Sequence, residues 1–110
     1  CEKAIDELVK AGVTCMLLDG DLFAEGIYHH LLNRGLSVPQ DMGLIITEMH
    51  QSLLERPPHF TGFVVDHFDL GVRGARMLQE FMTHTRELTP PISSVINLTF
   101  EAGQTLSARR

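Results

Sequence analysis

The stretch from Val13 to Ile46 constrains this chain more than any other part of it. Val13-Thr14-Cys15-Met16-Leu17-Leu18 is an unbroken apolar run of strand length, the pattern of a parallel-sheet strand buried on both faces, with Cys15 a small buried thiol. It breaks at Asp19-Gly20-Asp21 and gives way to helical spacing from about Leu22 to Asn33, which predicts burial of Phe23, Ile27 and Leu31. Gly26 permits close packing of that helix on the sheet, and Gly35 closes it. Pro39 and Asp41 set a loop, and Leu44-Ile45-Ile46 begins a second apolar strand. Strand, helix and strand in this order form a right-handed crossover unit whose two strands run parallel and adjacent. Ligands bind such sheets at the carboxyl ends of the strands.

The flanking segments continue the alternation. Glu2 to Ala11 places Ile5, Leu8 and Val9 on one helical face, and Gly12 fits the position just past the helix end. Thr47 to Pro58 is a loop with a helical turn around Gln51 to Leu54. Gly62 to Val65 is strand-like, and Asp66 caps a helix from about His67 to Thr83, with Gly71, Ala75, Leu78 and Met82 in one stripe. Thr89-Pro90-Pro91 is a linker, Val95 to Phe100 alternates as a strand does, and the tail from Gly103 is polar and loose apart from what Leu106 anchors.

Composition sets limits on function. The chain has 110 residues, enough for one domain, and is 44% hydrophobic, enough to fill a core. Its net charge is -5 with the basic residues scattered, which argues against a surface that grips nucleic-acid phosphates. No apolar run approaches the roughly 20 residues of a membrane span. Six histidines are present without His-Glu-x-x-His spacing, and Cys1 and Cys15 lie at no zinc-finger distance from them, so no metal site is expected. Nucleophile-elbow, phosphate-loop and dinucleotide motifs are missing too, so neither enzyme chemistry nor a cofactor is expected.

The acidic residues at the strand ends carry the ligand signal. Asp19 and Asp21 end the first strand, and Glu48 follows the second. A carboxylate accepts hydrogen bonds only, which suits the hydroxyl donors of a sugar or polyol. Asp21 fits two roles: N-cap of the following helix, or ligand contact.

The ordered motifs resemble the lactose/galactose repressor family. Asp19-Gly20-Asp21-Leu22-Phe23-Ala24-Glu25-Gly26 stands where that family has Asn-Asp-x-x-Ala-x-Gly, and Gly35-Leu36-Ser37-Val38-Pro39-Gln40-Asp41 matches its Gly-Leu-x-Val-Pro-x-Asp loop. Pro58 to Asp66 and Leu70-Gly71-Val72-Arg73-Gly74-Ala75 continue the likeness, and Val95 to about Leu106 corresponds to the last family strand. The departures are Gly20 for the family's asparagine, Val65 for a polar effector contact, His67 for an aromatic one, and Ala102 for an arginine.

The resemblance implies a periplasmic-binding-protein-like type I fold: three-layer αβα with a parallel sheet, here part of a two-lobed module. It assigns residues 1–59 to the C-terminal lobe, 60–88 to a segment crossing to the N-terminal lobe, and 89–110 to the return strand and tail. It implies a cytoplasmic transcription regulator that binds a sugar-like effector through Glu48, Asp21 and His67. Such a regulator pairs as a homodimer around Glu25 and Ser52 to Glu55, and reaches DNA only through a helix-turn-helix head outside this chain. The chain opens on Cys1 rather than Met, and on this reading it is a C-terminal fragment unable to bind effector by itself. A periplasmic sugar-binding protein shares the fold and is the alternative.

Overall fold

A computed structural model describes residues 2–83 and 93–108. Its elements are α1 (Glu2–Lys10), β1 (Cys15–Leu18), α2 (Ala24–Asn33), β2 (Gly43–Met49), a 3-10 turn (Gln51–Glu55), β3 (Thr61–Val64), α3 (His67–Met82) and β4 (Thr99–Glu101). The strands form one sheet in the order β1-β2-β3-β4. The first three are parallel, with Met16 opposite Leu44 and Leu18 opposite Ile46, and β4 closes the sheet antiparallel to β3. The expected parallel crossover through α2 is present.

Two compact units divide the chain: residues 1–65 with 99–110, and residues 66–98. The first contains the whole sheet. β3, which the resemblance placed in the crossing segment, is hydrogen-bonded to β2 and belongs to this unit. Its core joins Ile5 of α1 and Ala24, Ile27 and Leu31 of α2 to Met16, Leu44 and Ile46 on one face of the sheet. Gly12 and Gly35 follow the two helices with φ of 80° and 78°, the left-handed conformation that lets a glycine end a helix cheaply. A second fastening ties the helices together. Arg34 Nε donates to Asp6 Oδ1 at 2.9 Å, and His30 Nε2 lies 3.0 Å from the same oxygen. The Arg34 guanidinium, and after it His30, pull the Asp6 carboxyl down to about 2. His30 and Arg34 therefore serve α1 as well as their own helix end.

Several expectations change. β1 is not buried on both faces: Cys15 and Leu17 are exposed, because β1 is an edge strand and both helices of the unit pack on the Met16 side. Phe23 is exposed, because α2 begins at Ala24, two residues later than expected, and Ala24 takes the inward position. Leu53, expected among the subunit-pairing residues Ser52 to Glu55, is buried in the unit's own core.

The tail is fastened at Gly103 to Thr105. Thr105 is buried: its hydroxyl accepts from Thr61 N–H (2.9 Å) and donates to Leu44 O (2.8 Å), while Leu44 N–H donates to Thr105 O (2.7 Å). Gly103 passes so close to the His59 and Phe60 backbone that a Cβ would collide with it. Leu106, the expected anchor, stays partly exposed.

In the second unit, α3 is capped as expected, Asp69 N–H donating to the Asp66 carboxylate at 2.8 Å. None of its described residues is buried. Residues 93–98 form no regular structure, so the expected strand from Val95 shortens to β4. His84 and the Thr89-Pro90-Pro91 linker lie outside the described residues.

Candidate functional site

Parallel pairing brings the carboxyl ends of β1 and β2 to one edge of the sheet, so Asp19-Gly20-Asp21 faces Thr47 to His50. The two loops are bonded to each other. Thr47 Oγ1 lies 3.0 Å from Asp19 Oδ1 and 3.3 Å from Leu18 O, so the one hydroxyl hydrogen has two acceptors in reach. Asp21 Oδ2 accepts from His50 N–H at 2.8 Å, with the His50 ring Nδ1 3.1 Å away. Gly20, at φ 77°, supplies the reversal that points the flanking aspartates this way.

Asp21 therefore does not cap α2. Phe23 occupies the N-cap position with no side-chain cap bond, and the Asp21 carboxylate reaches across to β2 instead. Ala24 N–H bonds the Asp21 backbone carbonyl, so the residue still starts the helix through its main chain. Glu48 is exposed near the end of β2, one residue past Thr47. His67 opens α3 in the other compact unit. The structure thus brings Asp21 and the β2 end together and leaves His67 in a separate body.

Beside the Asp21–His50 bond lies a polar cavity of about 250 Å³, lined by these two residues with Glu25, Ser52, Leu53 and Arg56. An ion pair of 3.1 Å between Arg56 and Glu25 joins the 3-10 turn to α2 there. A cavity of similar size between α1 and α2, lined by Val9, Leu31 and Leu36 with the Asp6–Arg34 pair, lies away from the strand ends. Among the described residues, no group of three His, Cys, Asp or Glu could hold a metal ion. Their helices include none long and apolar enough to cross a membrane.

Sequence reasoning missed Asp19 with Thr47, and Asp21 with His50, as cross-strand pairs. The signal was present in the matching distances of Asp19 and Thr47 from their strand starts, but it has meaning only once the register is known.

Comparison with solved structures gives this fold a context. The chain is similar to the transcription regulator CcpA of Lactococcus lactis (19% identity, TM-score 0.83), the match covering 96% of this chain and 38% of that one. It is similar to a LacI family transcriptional regulator from Enterococcus faecium solved with bound ribose (20%, TM-score 0.79), over 99% of this chain and 40% of that one. A PurR family transcriptional regulator from Vibrio parahaemolyticus matches at 15% identity and TM-score 0.72, over 96% and 38%. No family model matches the chain, and no curated protein does. The chain spans about two fifths of the length of these structures, and at such identities the likeness shows the fold: the α/β module of LacI- and PurR-type regulators.

Proposed function

We propose that this chain is the effector-binding and dimerisation portion of a cytoplasmic bacterial transcription regulator, not an enzyme, and that its effector is a sugar or related polyol. The observation that carries the reading is the carboxyl edge of the sheet, where two parallel strands bring Asp19, Asp21, Thr47 and Glu48 to one side of a regulator-type fold. Hydroxyl-rich ligands need acceptors at fixed positions, and Asp19 and Asp21 are held by Thr47 and His50. The neighbour from Enterococcus faecium binds ribose, which supports a sugar as the class. On this reading Glu48, Asp21 and His67 are the candidate effector contacts. Effector binding favours one arrangement of two lobes, which a homodimer passes to a separate helix-turn-helix head. Leu22, 82% exposed, lines the polar cavity with the Arg56–Glu25 pair and, with the 61% exposed Phe23, belongs to the pairing surface.

Calorimetric titration of ribose and other pentoses and hexoses into the natural polypeptide that carries these residues tests the reading. We expect saturable binding of at least one sugar, weakened at least several-fold by Glu48→Ala with unfolding unchanged. Equal affinity in both proteins removes Glu48 from the site. Light scattering that shows only monomer at tens of micromolar removes the dimer.

A further inference from the structure

The cavity between α1 and α2, about 270 Å³ in volume, combines an apolar floor with a charged rim. Leu31 is fully buried, Val9 and Leu36 are half-buried, and Lys10 and Arg34 stand exposed at its mouth beside Asp6. It lies where both helices end: Val9 and Lys10 close α1, and Arg34 is the residue after α2. Its size is just under the roughly 300–1,000 Å³ of drug-sized pockets, so it suits a body of one ring or a short chain.

Hydrogen-bonding capacity at the rim is one-sided. Arg34 Nε and His30 Nε2 lie 2.9 and 3.0 Å from Asp6 Oδ1, and Arg34 Nη2 donates to Oδ2, so the carboxylate is already occupied. The carbonyls at the helix ends are occupied too: those of Glu7, Leu8 and Val9 accept from Ala11, Val13 and Gly12 N–H, and those of Leu31 and Leu32 from Leu36 and Gly35 N–H. What is left are donors. The Lys10 ammonium and Arg34 Nη1 have no partner among the described residues. Asp6 and Arg34 cancel in charge, and Lys10 leaves the lining with one positive charge in excess. Free donors over an apolar floor call for a ligand whose polar end only accepts, and an ionised carboxylate is such a group. A sugar or an amine brings donors that nothing at this rim is free to receive.

We propose that this cavity binds a small monocarboxylate with an apolar body, an aryl or short alkyl acid, whose carboxylate pairs with Lys10 and Arg34 Nη1 while its body lies on Val9, Leu31 and Leu36. A molecule seated there touches both helices, so its binding also stabilises their packing. The site lies away from the carboxyl edge of the sheet, and the proposal is independent of the effector reading.

Calorimetric titration of phenylacetate and hexanoate into the natural polypeptide tests it, with phenethylamine as the matched cation. We expect at least one of the acids to bind saturably with a dissociation constant of about 1 mM or lower, and the amine not to bind. Lys10 is exposed and unpaired, so its variants leave the fold intact. Lys10→Glu should weaken the acid at least tenfold, and Lys10→Arg should keep it within threefold of the unaltered protein, with the unfolding midpoint unchanged in both. Absence of binding by both acids up to about 5 mM overturns the proposal. Equal affinity in Lys10→Glu overturns it too, by placing the acid elsewhere, and an amine that binds as tightly as the acids reduces the cavity to an unselective apolar cleft.

Discussion

Helices α2 and α3 both follow a parallel strand, both carry apolar side chains at helical spacing, and end differently. α2 buries Ala24, Ile27 and Leu31 against the sheet; α3 buries nothing among its described residues, and Leu78 and Met82 along its stripe stay exposed. Local signals do not explain the difference. α3 is the longer helix and has the side-chain N-cap that α2 lacks. An amphipathic pattern with a cap selects the helix, but an apolar stripe becomes core only when a complementary surface faces it, and a sheet face faces α2.

The largest expected effect separates the two helices. Leu31→Ala should cost about 2–5 kcal/mol of stability in chemical denaturation, since it empties a fully enclosed site. Leu78→Ala should stay within about 0.5 kcal/mol, as surface substitutions do. A cost at Leu78 comparable to that at Leu31 would mean that α3 has a packing partner of its own, and the contrast would fall.

A smaller effect tests whether the C-terminal residues belong to the packed region. Thr105→Val keeps the shape and removes the hydroxyl that serves Thr61 N–H and Leu44 O. Leaving those two buried groups unpaired should cost about 1–3 kcal/mol. A neutral outcome would return the tail to the loose state its composition suggests.

The smallest effect concerns the α1–α2 fastening and shows only in acid. Because Asp6 titrates at about 2 when folded against a usual 3.8, its ion pair contributes fully above pH 3.8 and is lost as pH falls through about 2. Asp6→Asn should therefore flatten the dependence of melting temperature on pH across that window and leave the rest of the curve parallel. An unchanged acid limb would show that the Arg34 contact is too exposed to matter.

The strand–helix–strand order, the glycines that end α1 and α2, the Asp66 cap and the 3-10 turn after β2 were all legible in the sequence, because each depends on residues within a few positions of one another. So was the meeting of Asp21 with the end of β2, since parallel connection through α2 brings them to one side. Three features waited for the tertiary structure. Cys15 and Leu17 are as apolar as Met16 and Leu18, and only the edge position of β1 and the side taken by the helices decide that Met16 is buried and Leu18 half-buried while the other two are exposed. Asp21 satisfies every local rule for a cap, yet a donor pair on His50, 29 residues away, claims its carboxylate. Thr105 and Gly103 sit in a polar tail with no periodicity, and their roles come from backbone groups of β2, of β3 and of His59–Phe60 just before β3, all more than 40 residues earlier. Local spacing fixes backbone conformation; which groups are desolvated, and so which must be paired, depends on the segments that fold against them.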